Sequence, residues 1–395
     1  MTSARPVVFL HIGAMKTGTT YLQTLLQGNR KKLREHGFLL PGKQGDFTRG
    51  ARDVLGITGN DEALRARVDG VWQALTDEMR AWDGSASLYS MEFLSFANKR
   101  KAKRILRSLH GVDVHVVLTV RDSLGALPAQ WQTYSRNRGT VSWPDFAVEV
   151  REGTDGPALK TFHRAQDVIR MLDVWTPLVS EDRFHVVTVP PSSAPRDLLW
   201  ERFAGLVGVD PATVRTDKVR GNPSLGYASS DLLRRANPAM AGVRLSAYQK
   251  VVRYAGREVL AARREAEPKH RLDEATAAFA AAWNADVRER LVHGGVHVVG
   301  DLEDLPTVAD PARLDAGDRP EDVDPDLVAD AALGARVGLR AWADTRDLAL
   351  PAGDSAAWSE AEAAGEPIVS EGLTEDGVRP VREVATLLRM LATAD

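Results

Sequence analysis

Residues 7–20 read VVFLHIGAMKTGTT, and this stretch decides the fold. The apolar, β-branched run 7–12 predicts a buried strand of a parallel sheet. The run stops at Gly13, and apolar residues at helical spacing extend from Tyr21 to about His36. A strand, a glycine-containing loop and a helix in this order predict an anion site, because the N–H groups and the dipole of a helix N-terminus attract negative charge.

The loop contains the residue types that hold an oxyanion. Gly13 and Gly18 let the backbone come close to a ligand, and Lys16 adds a positive charge. The hydroxyl donors of the loop are Thr17, Thr19 and Thr20. In a Walker A motif the lysine follows the second glycine, whereas Lys16 precedes Gly18 by two positions. The loop is therefore not a standard Walker A motif.

The rest of the chain alternates strands with helices. Further strands are predicted to end near Ser90 and to cover 112–120, 184–189 and 297–300. Helices are predicted over 61–82, 97–109, 124–137 and 158–175, with a mostly helical region at 195–293 and helical pieces around 329–343 and 378–392. Residues 41–60 are predicted to be a loop, and residues 301–330 a linker or a meandering surface segment. This order predicts an α/β fold in which helices flank a central parallel sheet, P-loop-like and nucleotide-binding, with an extra C-terminal helical and irregular segment.

Charge divides the 395 residues into two parts. The formal net charge is only −3, which argues against a nucleic-acid binder. Residues 1–300 carry a net charge of +11 and residues 301–395 a net charge of −14. We predict an α/β domain over 1–300, whose positive charge suits a polyanionic small ligand as well as it suits nucleic acid, followed by an acidic extension over 301–395 that is partly linker and partly helical.

Composition excludes several kinds of site. The chain has no cysteine, which excludes disulfides, thiolate nucleophiles and cysteine-ligated metals. Its nine histidines show no metal-ligand spacing, so no metal is expected. No window reaches the roughly 18 apolar residues of a membrane span, and the apolar run near the N-terminus is too short for a signal peptide. We expect a cytoplasmic protein without a membrane partner.

The loop sequence GxxKTGTT at residues 13–20 resembles the 5′-phosphosulfate loop of sulfotransferases that use 3′-phosphoadenosine 5′-phosphosulfate (PAPS). The run HIGAMKTGTTYLQTLL is similar to the bacterial branch of that family, and the resemblance extends over roughly residues 7–300. It implies that the 5′-phosphosulfate is held by Lys16, Thr17, Gly18, Thr19 and Thr20. It also implies that Lys16 stabilises charge on the leaving phosphate oxygen.

The same resemblance implies two contacts to the 3′-phosphate of PAPS. The first is Arg121, which follows the strand 112–120. In the family a serine lies eight residues after this arginine, but position 129 is Ala, and Ser123 or Gln130 are the candidate replacements. A surface ion pair with Asp122 is the alternative for Arg121.

The second contact to the 3′-phosphate is the segment KVRGNPS at 218–224. Its Lys218, Arg220 and Gly221 match a late Arg-Lys-Gly segment of the family in composition but not in order. A solvated basic turn before a helix explains these three residues equally well.

Sulfuryl transfer requires a base for the proton of the acceptor hydroxyl. The resemblance implies Glu92 for this role, in the sequence Ser90-Met-Glu92 after a short strand, with Ser90 near the cofactor. The alternative for Glu92 is a helix N-terminal residue that interacts with the dipole. Three aromatic residues are weak candidates for the acceptor pocket, because aromatic residues at this spacing more often belong to a protein core. They are Trp131, Tyr134 and Trp143.

The sequence therefore favours a sulfotransferase that moves a sulfuryl group from PAPS to a hydroxyl of a small molecule or glycan, leaving the desulfated bisphosphate PAP. One alternative is a kinase that uses a nucleoside triphosphate and Mg²⁺. Another is a non-catalytic protein that binds a nucleotide or a sulfated ligand. The sequence leaves the acceptor and the oligomeric state open.

Overall fold

A computed structural model describes residues 5–59, 61–216, 225–268, 271–311, 314–315, 320–352 and 355–394. These residues divide into two compact units. The first, which we call the sheet unit, is drawn from 1–126, 162–222 and 280–309. The second, which we call the helical unit, is drawn from 127–161, 223–279 and 310–395. The sequence-based division at residue 300 into a family-type domain and an extension stays a prediction.

The sheet unit is built on six parallel strands. They are β1 Val7–Gly13, β2 Phe38–Leu39, β3 Ala86–Ser90, β4 Asp113–Val120, β5 Phe184–Thr188 and β6 His297–Val299. Their order across the sheet is β2-β3-β1-β4-β5-β6, and every described pair is parallel. The predicted central parallel sheet flanked by helices is confirmed. The two-residue strand β2 was not predicted, because so short a run has no readable period.

Seventeen α-helices are present among the described residues. Those before β4 are α1 Thr19–Gly28, α2 Arg30–Glu35, α3 Asp46–Leu55, α4 Glu62–Val68, α5 Val71–Arg80 and α6 Lys99–Ser108. Those that follow are α7 Ser123–Ser135, α8 Trp143–Glu152, α9 Pro157–Gln166, α10 Val168–Trp175, α11 Leu198–Val207, α12 Tyr227–Ala236, α13 Leu245–Tyr254, α14 Glu274–His293, α15 Pro325–Asp344, α16 Ala356–Ala363 and α17 Glu375–Thr393. None of the described helices is long and apolar enough to cross a membrane.

The predicted loop at residues 41–60 is wrong in part, because the ten residues of α3 occupy half of it. Its Gly, Asp and Arg content suggested a loop, but the apolar residues lie on one helical face. Phe47, Ala51, Val54 and Leu55 are all buried. The hydroxyl of Tyr89 on β3 donates to the carbonyl of Phe47 (2.6 Å), which fixes this helix against the sheet.

Three predicted helices, over residues 21–36, 61–82 and 158–175, are each broken into two. The break in 158–175 falls at Asp167, whose carboxylate accepts from the N–H of Arg170 and begins α10. The break in 61–82 falls at Gly70, which adopts a φ of 74° and begins α5. A capping residue within a stretch of helically spaced apolar residues therefore ends one helix and begins the next.

The predicted helical pieces near the C-terminus are confirmed by α15 and α17. In the helical unit, Arg336 of α15 pairs with Glu383 of α17 (2.8 Å). Trp342 of α15 also stacks on Tyr254 of α13, with ring centroids 3.9 Å apart. Residues 301–330 are not wholly a linker, because Asp324 caps α15 and the helix begins at Pro325.

Three histidines form a hydrogen-bonded row across the amino ends of β4, β5 and β6. His115 Nδ1 lies 2.8 Å from His185 Nε2, and His185 Nδ1 lies 3.1 Å from His297 Nδ1. Each link needs one donor and one acceptor, which three neutral imidazoles supply. Burial is the main cause that lowers the pKa of His185 to about 4, and it also lowers the pKa of His115.

This row makes folding sensitive to acid. The unfolded chain takes up a proton on His185 below about pH 6.5, whereas the folded chain resists it to about pH 4, so stability is lost as the pH falls through this window. The wild type should lose unfolding free energy when the pH falls from 7.5 to 5.5. We expect His185→Gln to lose about 1 kcal/mol less over the same interval. Urea titrations at the two pH values measure this difference. The control is His36→Gln, an exposed histidine bonded only to its own helix. An equal pH dependence in wild type and His185→Gln would contradict the assignment.

Candidate functional site

The order of the strands determines where a site can form. The strand β1 lies between β3 and β4 in the sheet. After β1 the chain forms β2 and β3 on one side of it, and then β4 on the other side. The carboxyl ends of the three strands meet at one edge, where a crevice is expected in open parallel sheets. The loop after β1, Glu92 after β3 and Arg121 after β4 are therefore brought to the same edge of the sheet.

Backbone and side-chain bonds from two other segments hold the loop after β1. The N–H of Ala14 donates to the carbonyl of Thr119 (2.9 Å), and the N–H of Met15 donates to the carbonyl of Ala165 (3.3 Å). The buried Gln166 side chain donates to the carbonyl of Met15 (2.9 Å). These bonds fix the loop before any ligand binds.

The backbone turns sharply at the two ends of the segment from Lys16 to Gly18. Lys16 has a φ of 62° and Gly18 a φ of 78°, both in the left-handed region. Gly18 precedes α1 and has no side chain to cap it. A Cβ at this position would also collide with Leu199 of α11. The first turn of α1 therefore begins with N–H groups that lack an intrahelical acceptor.

A buried chain of hydrogen bonds lies beneath the loop. Ser90 Oγ lies 2.8 Å from His11 Nδ1, and His11 Nε2 lies 3.1 Å from Thr119 Oγ1. Thr119 Oγ1 lies 2.5 Å from Thr17 Oγ1, which donates to the carbonyl of Ala14 (2.7 Å). Every bond in this chain has one donor and one acceptor if His11 carries its proton on Nε2. Ser90 then donates to His11 Nδ1, His11 Nε2 donates to Thr119, and Thr119 donates to Thr17. Burial lowers the pKa of His11 to about 3, so this imidazole is neutral at pH 7.

Two of the predicted site residues therefore have hydroxyl groups directed into the protein. Ser90 and Thr17 are each 1% exposed, and both hydroxyls belong to this buried chain. The hydroxyl of Thr17 therefore supports the shape of the loop. Thr19 is also buried, whereas Thr20 is exposed at the start of α1.

Glu92 lies directly against the loop. It begins a single 3₁₀ turn, Glu92–Phe96, after β3. A Cβ built on Gly13 would lie 2.6 Å from Glu92 Cβ, so only glycine at position 13 allows this approach. Gln23 of α1 donates to Glu92 Oε2 (2.8 Å) and orients the carboxylate. Glu92 also lies in the first turn of this 3₁₀ segment, which is the position required by its alternative role, an interaction with the helix dipole.

Arg121 reaches the loop from the other side. Its Nη1 donates to the carbonyl of Lys16 (3.3 Å), which places the guanidinium beside the loop backbone. The neighbouring carboxylate of Asp122 accepts from the N–H of Leu124 (2.8 Å) and from Asn284 Nδ2 (2.9 Å).

Asn284 of α14 is a positioning residue that sequence reasoning missed. It is 1% exposed, and its Oδ1 accepts from the backbone N–H of Ser123 (2.9 Å). Its Nδ2 donates to the carbonyl of Pro306 (2.8 Å) as well as to Asp122. It thereby fixes the start of α7, where Arg121 and Ser123 lie. An isolated asparagine in a helix 161 residues after Ser123 gives no signal in the sequence.

The remaining predicted residues are of two kinds, those outside the described part of the chain and those in the helical unit. Lys218, Arg220 and Gly221 lie outside the described residues. Gln130 is a buried residue of the helical unit. The three aromatic candidates, Trp131, Tyr134 and Trp143, are also buried in that unit. Within the described part of the chain, no group of three or more histidines and carboxylates is placed to hold a metal ion.

Comparison with solved structures finds a sulfotransferase from Alicyclobacillus acidocaldarius. It is 19% identical in sequence, has a TM-score of 0.37, and is matched over 62% of this chain and 99% of its own. No model of a known protein family matches the chain, and no curated protein does. The residues of the site therefore carry the functional argument.

The buried chain of hydrogen bonds predicts the effect of a substitution at its centre. We expect Thr119→Val to lower the free energy of unfolding by about 1–3 kcal/mol, because His11 and Thr17 both lose a buried partner. Urea denaturation measures this change. The control Thr24→Val removes a hydroxyl that bonds only within an exposed stretch of α1 and should change stability by less than about 0.5 kcal/mol. Equal effects of the two variants would refute the role of Thr119.

Proposed function

We propose that this chain is a sulfotransferase that transfers the sulfuryl group of PAPS to a hydroxyl acceptor. The observation that carries the proposal is the position of the GxxKTGTT loop between a carboxylate and a guanidinium. Glu92 packs on Gly13 at one side of the loop, and Arg121 donates to the carbonyl of Lys16 at the other. A transferase of this kind needs a base for the acceptor proton and cations that hold the phosphates of the donor, and here both kinds of group adjoin the loop.

The loop has the features that a 5′-phosphosulfate requires. The turn at Gly18 brings the N-terminus of α1 towards the ligand, and no side chain of Gly18 competes for the first-turn N–H groups. Lys16 supplies a positive charge, and the exposed Thr20 supplies a hydroxyl. We assign Thr17, Gly18 and Thr19 to the same group through their backbone N–H groups, because the Thr17 hydroxyl is used beneath the loop.

We assign the 3′-phosphate to Arg121 and Ser123. Both lie at the start of α7, which Asn284 holds in place. Ser123 compensates in this proposal for the alanine at position 129. Lys218, Arg220 and Gly221 complete the site in the proposal on the strength of the sequence resemblance alone.

The reaction that these residues support is an in-line displacement at sulfur. PAPS supplies the activated sulfuryl group. Glu92 takes the proton of the acceptor hydroxyl as its oxygen forms a bond to sulfur, and Gln23 holds Glu92 in position. The bond between sulfur and the 5′-phosphate oxygen breaks, and Lys16 stabilises the negative charge that this oxygen gains. PAP and the sulfated acceptor are the products, and the proton remains on Glu92 until solvent removes it.

The proposal includes a cytoplasmic location, because a chain without cysteine is compatible with a reducing compartment.

Binding of PAP, the desulfated product, tests the cofactor site. We expect micromolar binding in calorimetry, weakened about ten-fold or more by Lys16→Ala and by Arg121→Ala, because each removes a charge-assisted contact to a phosphate. The matched control Lys103→Ala removes an exposed lysine of α6 and should leave binding unchanged. Binding of ATP with Mg²⁺ in place of PAP would favour the kinase. Tight PAP binding without transfer to any hydroxyl acceptor would favour a non-catalytic binding protein.

Substitution of the base tests the chemistry. We expect Glu92→Gln to lower kcat by about 100-fold or more, because the amide cannot take the acceptor proton, with the affinity for PAP unchanged. Transfer of radiolabelled sulfate from PAPS to the acceptors that the wild type uses measures this loss. The control Glu35→Gln changes an exposed carboxylate of α2 that pairs with Lys31. A kcat of Glu92→Gln equal to that of the control would exclude Glu92 as the base.

A further inference from the structure

A groove runs along α1 beside the candidate site. Its volume is about 750 Å³, within the range of small-molecule sites. One wall is the exposed face of α1, and the other is the segment after β2. The lining residues are Thr20, Gln23, Thr24, Gln27, Gly28, Arg30, Gly42, Lys43 and Gln44.

The groove meets the reacting end of the site at two residues. Thr20 belongs both to the groove and to the loop that we assign to the phosphosulfate. Gln23 lines the groove and donates to Glu92 Oε2 (2.8 Å). An acceptor lying in the groove would therefore have one end beside the base.

The lining of the groove indicates the chemical class of its occupant. The nine lining residues include three glutamines, two threonines, an arginine and a lysine, and none has an aromatic or aliphatic side chain. Amide and hydroxyl groups at successive helix turns suit a ligand with many hydroxyls. A flat phenol is usually held by aromatic side chains, which these residues do not provide.

Two basic residues, Arg30 and Lys43, lie at the far end of the groove. Arg30 donates to the carbonyls of Leu40 (2.5 Å) and Gly42 (2.7 Å), which joins the two walls. Lys43 is exposed there, next to Gln44. Two carboxylates lie against the same segment, since Glu78 accepts from the N–H of Gly42 (2.9 Å) and Asp46 accepts from the N–H of Lys43 (2.6 Å). The lining itself contains no carboxylate.

We propose that the acceptor is an anionic saccharide that lies along α1, with its reacting hydroxyl at Glu92 and its carboxylate or sulfate at Lys43. The α1 face from Thr20 to Gln27 is about 10 Å long, which matches two sugar rings. This assignment rests on the proposed sulfotransferase function, and it names the acceptor class of that same site.

Transfer of radiolabelled sulfate from PAPS tests the proposal with three kinds of acceptor. These are a set of uronate-containing disaccharides of different linkage, their neutral uronamide counterparts, and 2-naphthol as a flat phenol. We expect at least one uronate disaccharide to be sulfated with a KM about five-fold below that of its uronamide, as expected for one exposed charge pair. Lys43→Gln should remove this difference in KM, and Lys43→Arg should retain it.

The control Lys103→Gln makes the same change of charge on α6 and should leave the difference intact. Sulfation of 2-naphthol in preference to every saccharide would overturn the proposal. So would an unchanged preference for uronate in Lys43→Gln. If PAP binds but no saccharide is sulfated, the acceptor assignment fails and the cofactor site stands. If PAP does not bind, the sulfotransferase function itself fails.

Discussion

The candidate site depends on the buried chain of hydrogen bonds that joins three neighbouring strands to the loop after β1. His11 of β1 connects Ser90 of β3 to Thr119 of β4, and Thr119 passes the connection to Thr17. A buried polar group is costly unless it is bonded, so these four side chains support one another. Burial keeps the imidazole neutral, which allows it to donate on one side and accept on the other. The loop is thus shaped by the sheet rather than by its ligand.

Close backbone packing adds a second constraint. Gly13 leaves room for Glu92, and Gly18 leaves room for Leu199. Both glycines also have positive φ values, which other residues adopt at a cost. The two glycines therefore serve the approach of neighbouring elements as well as the approach of a ligand. This packing lets the carboxylate of Glu92, just after β3, lie beside the loop that follows the neighbouring strand β1.

The sequence predicted the fold class well because the strands are short apolar runs that end at glycine or polar residues. It failed at α3, where glycine, aspartate and arginine hide the helical spacing of the apolar positions. It placed Thr17 among the ligand-binding hydroxyls, because a motif does not reveal which way a side chain points. Asn284 and the partners of His11 could not be found from sequence, since those contacts join residues that are far apart in the chain.

The hydroxyl of Thr17 has a consequence for how such a chain can change during evolution. Its partner Thr119 lies 102 residues away, and the pair shares a single hydrogen bond in a space without water access. A substitution at one of the two positions leaves the other without its partner. Positions 11, 17, 90 and 119 are therefore expected to vary together among relatives of this chain, because each of these side chains depends on another of the four.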